Sequence, residues 1–174
     1  IMLPKNPKNQ LGTHEVLNMP HHLGDQDLWS QDQALQSWTN AFNGGWAKDR
    51  LKTIGKIVGS QDVFDKAEKA NKYGPELKVF DKYGMRIDQV EFHPAYHELL
   101  NLAVSSEVHN FAWRNKRKGS HVVNSALIYM FCQPEGGIMC PMAMAYSVAP
   151  ALKGTPEVEK KWMPGILSTT YDMR

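Results

Sequence analysis

The sequence predicts a mainly α-helical fold, a bundle of about six to seven helices with one small β-hairpin. Apolar residues recur at helical spacing over most of the chain after residue 30, and helix start signals precede most of these stretches. Only within residues 77–92 do apolar and polar residues alternate with a period of two. With 174 residues, 42% of them hydrophobic, the chain is long enough for one core and therefore one domain.

The first three helices are predicted within about forty residues, which implies a bundle. Ser30-Gln-Asp-Gln33 has the pattern of a capping box and begins a helix near residues 31–43 that ends at Gly44-Gly45. The second helix runs from Trp46 to Gly59. Ser60 is a suitable N-cap for the third helix, whose apolar positions are Val63, Phe64, Ala67 and Ala70.

The hairpin follows these helices. Leu77 and Val79 alternate with polar residues, as does the run from Arg86 to Phe92, and Asp81-Lys-Tyr-Gly84 between them suits a tight turn. Pro94 then favours a helix start, and the helix has its apolar face at Tyr96, Leu99, Leu100 and Ala103.

Three further helices are predicted beyond the basic loop Arg114–Lys118. One begins after Gly119-Ser120 and should end or kink at Pro134, just before Gly136-Gly137. The next runs from Pro141 towards Ala151. The last begins at Thr155-Pro156 and carries Val158, Trp162 and Ile166.

Residues 1–30 lack this periodicity and hold three of the ten prolines, so we expect an extended arm, with the helical domain occupying residues 31–174. The arm's apolar side chains should gain their burial against the bundle or a neighbouring subunit; they are Leu11, Val16, Leu17, Leu23 and Leu28. The first residue is Ile, and no tail composition closes the chain, which favours a segment of a longer protein.

Composition excludes several classes of function. A net charge of +2 is too small for a nucleic-acid footprint, and no apolar stretch reaches the length of a membrane span. Two cysteines without a disulfide framework favour a reducing intracellular compartment, and we favour the cytoplasm over the mitochondrion.

Most candidate chemistry has a simpler structural explanation. His93 and His97 are spaced for a metal on one helix face, but no third ligand is evident, so His93 is better explained as a helix cap or turn contact. Cys132 and Cys140 have no spacing for redox or zinc chemistry, and core thiols are the favoured interpretation. The charges of the basic loop are better explained by exposure to solvent than by phosphate binding. No glycine loop has the spacing of a phosphate-binding motif.

The methionines Met139, Met142 and Met144 beside the glycine pair admit two explanations. Flexible thioethers shape apolar slots for long alkyl chains, but they also fill gaps in a bundle core. The residues alone do not decide between the two.

Several segments together resemble, in order and spacing, the N-terminal domain of AidB-type acyl-CoA dehydrogenases. The longest is Gly84-Met-Arg-Ile-Asp-Gln-Val-Glu-Phe-His-Pro-Ala-Tyr-His97. The others are Thr13–Pro20, Gly45-Trp46, Gln133–Met144 and Ser168–Asp172, so the resemblance covers nearly the whole chain.

The resemblance implies an FAD-dependent oxidoreductase of fatty acid metabolism, about three times this length and tetrameric, that oxidises an acyl-CoA substrate. In that family a middle β-domain and a C-terminal helical domain hold FAD, and the C-terminal domain supplies the catalytic Glu. This segment would therefore be inactive alone, with no catalytic residue and no metal of its own.

What the resemblance assigns to this domain is a wall of the acyl tunnel where one helix ends and the next begins. By position, that wall is Glu135, Gly136, Gly137, Met139, Cys140, Pro141, Met142 and Met144. Gly137 also has a plain structural explanation, a helix-break residue with positive φ. The alternative for the whole chain is a non-catalytic helical module that binds lipid or acyl-CoA, or a protein partner.

Overall fold

The computed structural model describes residues 18–20 and 23–173. In this part of the chain it contains eight α-helices and a two-stranded antiparallel sheet, which confirms the predicted fold class. The elements are α1 Gln33–Ala41, α2 Lys48–Val58, α3 Gln61–Lys72, β1 Glu76–Phe80, β2 Arg86–Glu91, α4 Pro94–Ser105, α5 Phe111–Arg114, α6 Ser120–Phe131, α7 Met139–Ala151 and α8 Pro156–Ile166.

Helices α2, α3, α4 and α6 surround the hydrophobic core. Each contributes the apolar side chains that recur at three- and four-residue intervals in its sequence, as expected for amphipathic helices. Fully buried members of the core include Leu51, Val58, Leu99, Leu127 and Met130.

Residues 26–29 lie directly on α2. The amide of Gln26 donates to the carbonyl of Gly59 at 2.8 Å, and that of Leu28 donates to Gly55 at 3.2 Å. A Cβ at Gly55 would lie 2.7 Å from the backbone nitrogen of Trp29, so only glycine allows the N-terminal segment to approach α2 this closely. Leu28 and Trp29 are buried, whereas Leu23 is exposed. The predicted arm residues Leu11, Val16 and Leu17 lie outside the described residues.

Two helix starts use caps other than those predicted from the sequence. Asp32, not Ser30, caps α1, because its Oδ1 accepts the Leu35 N–H at 2.7 Å. Ser60 occupies the N-cap of α3, but its side chain makes no cap bond. Asp25 accepts the Gln61 N–H at 2.8 Å instead. The N-terminal segment therefore also helps to begin α3.

Two of the later helices differ from expectation. The short α5 follows α4 after the connection at residues 106–110, although no helix was predicted there. The predicted apolar stripe of α8 is not buried, since Trp162 is exposed and no residue of this helix is fully buried. Residues after α8 return to the bundle, where the Ser168 carbonyl accepts from the Asn110 side chain at 3.0 Å.

Candidate functional site

The predicted break between two helices lies at residues 132–138. Helix α6 ends at Phe131, three residues before Pro134, and α7 begins at Met139, two residues earlier than predicted. The earlier start has a local cause. Glu135 binds the amides of the turn before α7, so this turn already points along the new helix.

Glu135 caps the turn that precedes α7, and its side chain is nearly buried. Its Oε1 accepts the Gly137 N–H at 2.9 Å, and its Oε2 accepts the Ile138 N–H at 2.6 Å. Asn71 on α3 donates to Oε1 at 3.4 Å. A carboxylate at a helix N-terminus is stabilised by the unpaired amides and the helix dipole. Glu135 therefore fixes the direction of α7 relative to α3.

The two glycines of the break face different surroundings. A Cβ at Gly137 would lie 3.0 Å and 3.3 Å from the Glu135 oxygens, whereas one at Gly136 would meet nothing within 4 Å. Gly137 does not have a positive φ, so the left-handed explanation is wrong. Its small size instead leaves room for the capping carboxylate.

The residues of the predicted wall divide between the core and the surface. Met139 and Met142 are buried members of the core, and Pro141 is half-buried. Cys140 and Met144 are exposed, with Met144 at 64%. Two of the three methionine side chains therefore fill gaps in the core, as one explanation expects, and Met144 lies outside it.

The outer side of α7 forms a shallow apolar groove of about 410 Å³. Its lining residues are Ala143, Met144, Ser147, Val148 and Ala151. Helix α7 carries no Asp, Glu, Lys, Arg or His, so its exposed side is uncharged, and Ser147 is the polar residue among those that line the groove. Such a surface holds an alkyl chain by removing it from water, but it offers no group for acid–base chemistry.

An aromatic cluster that the sequence analysis missed anchors α7 to the rest of the fold. Trp113 Nε1 donates to the Tyr146 carbonyl at 2.9 Å, and the Tyr146 hydroxyl hydrogen-bonds His121 Nδ1. Partial burial raises the pKa of the Tyr146 hydroxyl. The three residues belong to α5, α6 and α7, so no spacing within one element could have indicated them.

The histidine pair is divided between two separate contacts. His93 caps α4, with its Nδ1 accepting the Ala95 N–H at 3.1 Å, which confirms the predicted cap. His97 Nδ1 instead hydrogen-bonds the Tyr171 hydroxyl at 2.7 Å. Among residues 18–20 and 23–173, no group of three or more potential ligands is placed to hold a metal ion.

The two cysteines are exposed, so the core-thiol interpretation is wrong. Cys132 directly follows α6 at the start of the break, and Cys140 is the second residue of α7. Partial burial and the charge of Glu135 raise the pKa of the Cys132 thiol. A raised pKa reduces the thiolate fraction at neutral pH, so this side chain is a weak nucleophile.

The basic loop is held by protein contacts. Arg114 Nε lies 2.9 Å from Glu107 Oε1, and the Arg117 guanidinium lies over the Trp46 ring at 4.5 Å. Arg50 on α2 contacts the other Glu107 oxygen at 2.6 Å. Arg114 therefore joins the loop to the α4–α5 connection, and Arg117 joins it to the turn before α2.

The described residues do not supply a site for FAD. A surface cleft of about 720 Å³ beside α3 is lined by charges of both signs with Tyr73 and His93. It lacks the apolar walls that an isoalloxazine ring needs. In the part of the chain that the structure covers, no helix combines the length and apolarity needed to cross a bilayer.

Comparison with known proteins agrees with this geometry. The family model for the adaptive response protein AidB N-terminal domain matches residues 18–173. Over 162 residues the chain is 35% identical to Putative acyl-CoA dehydrogenase AidB of Escherichia coli (strain K12). That alignment covers 92% of this chain but 30% of AidB.

Two solved structures share the fold. One is described as Bd2924 apo-form, with a TM-score of 0.74 and 23% identity over 87% of this chain and 32% of the other. The second is Caenorhabditis elegans ACDH-11 in complex with C11-CoA, with a TM-score of 0.71 and 16% identity over 90% of this chain and 28% of the other. This chain thus spans about a third of each relative's length. Because the family match extends over almost all described residues, the chain belongs to the AidB N-terminal domain family.

Proposed function

We propose that this chain is the N-terminal helical domain of an FAD-dependent acyl-CoA dehydrogenase and that the α6–α7 break and the outer side of α7 form part of its acyl-chain tunnel. The observation that carries the proposal is the apolar groove on α7, an uncharged helix whose surface side offers Met144 and Val148. Family membership supplies the acyl-CoA context.

The groove suits an alkyl chain on physical grounds. Each methylene removed from water contributes about 0.8 kcal/mol, so a surface without charged groups favours longer chains. Met144 is unbranched and flexible and can follow the shape of a chain that passes over it. Behind it, Met139 and Met142 are fixed in the core and hold α7 in place.

The remaining parts of the reaction belong to other domains in this proposal. FAD, where bound, accepts the hydride removed from the acyl chain. This segment supplies enclosure of the substrate and contacts within a homotetramer, while the rest of its own chain holds FAD and the catalytic base. The longer relatives, of which this segment covers about a third, support this division.

The experiment fills the groove in the full-length protein with Ala143→Trp and measures the affinities of a short and a long acyl-CoA. Displacing two or more methylenes should cost the long substrate at least tenfold in affinity, with little effect on the short one. Ala34→Trp on α1 is the matched control, because it places the same side chain on another exposed helical alanine.

Equal weakening of both substrates, or none, would count against the tunnel wall. Flavin absorbance tests the enzyme class separately. Anaerobic addition of acyl-CoA should bleach bound FAD in the unmodified full-length protein. Tight acyl-CoA binding without flavin reduction would instead favour the non-catalytic binding module.

A further inference from the structure

Helix α7 contains a proline that leaves one carbonyl of the helix without its regular donor. Pro150 lies inside the helix, one residue before its end. In a regular helix the N–H of residue 150 would donate to the carbonyl of Tyr146, four residues earlier. Proline has no N–H, and its ring crowds that carbonyl. Because Tyr146 is half-buried, its carbonyl needs a donor from outside α7.

The side chain of Trp113 supplies this donor. Its Nε1 donates to the Tyr146 carbonyl at 2.9 Å. The centroid of the same ring lies 5.1 Å from that of the Tyr146 ring and 5.9 Å from the Nζ of Lys153. Trp113 thus contacts residues on both sides of Pro150, and its indole takes the place of the hydrogen bond that the helix cannot make.

The short helix α5 fixes Trp113 to the core. Phe111 and Ala112, the two residues before it, are buried. The N–H of Ala112 donates to Oδ1 of Asn124 at 3.2 Å, and Asn124 is buried on α6. The position of the indole is therefore set by the core and not by α7.

The part of α7 that Trp113 holds carries half of the apolar groove. Ser147, Val148 and Ala151 line the groove and lie next to Tyr146 or within one turn of it. Beyond Met142, Ala149 is the buried residue of this helix. One buried methyl group gives little stability to the end of a helix, so the indole contact decides where the groove residues lie.

We propose that Trp113 is a positioning residue for the groove. Its indole N–H replaces the amide that Pro150 lacks and so keeps Ser147, Val148 and Ala151 in line with Met144. The consequence for acyl-CoA rests on the proposed function, whereas the replacement of the hydrogen bond does not.

A double-mutant cycle in the full-length protein tests the replacement. Trp113→Phe keeps an aromatic ring but loses the donor, and Pro150→Ala gives residue 150 an N–H at an exposed position. Hydrogen exchange of the amides in residues 146–152, followed by mass spectrometry, measures the opening of this end of α7. Trp113→Phe should speed exchange at least about fivefold beside Pro150 and less than about twofold beside Ala, because the helix then satisfies the carbonyl itself. Equal acceleration in the two backgrounds would overturn the proposal.

The affinities of a short and a long acyl-CoA test the positioning role. Trp113→Phe should weaken the long substrate at least about fivefold and the short one less than about twofold. Adding Pro150→Ala should restore the long substrate to within about twofold of the unmodified protein. Trp46→Phe is the matched control, because the Trp46 Nε1 donates in the same way, at 3.1 Å, to the carbonyl of Lys118 outside α7.

The outcomes separate this inference from the proposed function. Faster exchange in α7 at an unchanged ratio of the two affinities would overturn the positioning role, as would the same change of ratio in Trp46→Phe. If the unmodified protein binds both acyl-CoAs equally well, the proposed function fails and the acyl-CoA part of this inference fails with it. The exchange cycle would still decide whether Trp113 replaces the missing bond.

Discussion

Helices α6 and α7 are both apolar and of nearly equal length, yet they have different places in the fold. Seven of the twelve residues of α6 are buried, compared with three of the thirteen in α7. Val123, Leu127 and Phe131 place α6 in the centre of the core. In α7, only Met139, Met142 and Ala149 are buried.

The difference shows that apolar composition does not by itself determine how much of a helix the domain buries. Helix α6 uses its apolar side chains for stability within this domain. Helix α7 uses one side in the same way and leaves the other exposed, and in our proposal an alkyl chain covers that side. We therefore expect similar substitutions in the two helices to have very different consequences.

The largest effect is expected from truncating the core side of α6. Leu127→Ala should lower the free energy of unfolding by about 2–5 kcal/mol, because the side chain is fully buried and leaves a cavity. Val148→Ala on α7 removes a side chain that is 36% exposed and should cost less than about 1 kcal/mol. Urea unfolding of both variants measures the difference, and equal losses would contradict it.

An intermediate effect is expected at the cap that joins the two helices. Glu135→Gln keeps one acceptor but loses the charge and the second acceptor that bind the Gly137 and Ile138 amides. The free energy of unfolding should fall by about 1–2 kcal/mol. Glu157→Gln is the control, since Glu157 is an exposed acid in the first turn of α8. If both changes cost the same few tenths of a kcal/mol, Glu135 is not the cap that we describe.

The sequence predicted most elements but few of the contacts that place them. Hydrophobic spacing found seven helices and the hairpin, while the four-residue α5 is too short to show a period. Capping was less predictable, because Asp25 is 36 residues from the Gln61 amide that it binds. A cap from outside the helix leaves no local pattern.

The spacing of the methionines could have predicted that the wall residues divide between the core and the surface. Met139 and Met142 are three residues apart and share a helix face, whereas Met144 is two residues further and points elsewhere. The orientation of that helix could not be predicted, since it depends on Glu135 and on the Tyr146 cluster. The exposure of Cys140 has the same origin, because it lies on α7 between the buried Met139 and Met142 but on another side of the helix.

The smallest expected effect is a pH dependence of the free energy of unfolding. It should arise on the α6 side of the fold and not in α7. Helix α7 has no carboxylate or histidine, so mild acid should act elsewhere. Buried His109 lies in the α4–α5 connection, which α6 holds through Asn124 bonds to Val108 and Ala112. The Nε2 of His109 donates to the Ser168 carbonyl at 3.1 Å.

Burial lowers the pKa of His109 below its ordinary value of 6.5, with a smaller opposing contribution from hydrogen bonding to Ser168. The unfolded chain then binds a proton that the folded chain does not, so stability is complete above about pH 6.5 and falls as pH decreases towards the folded-state pKa. His109→Gln retains a donor for Ser168 but cannot titrate. The free energy of unfolding between pH 8 and 5 should therefore fall less steeply in this variant. An NMR titration that gives His109 a pKa at or above 6.5 in the folded protein, or equal slopes for the two proteins, would show that acid acts through a different group.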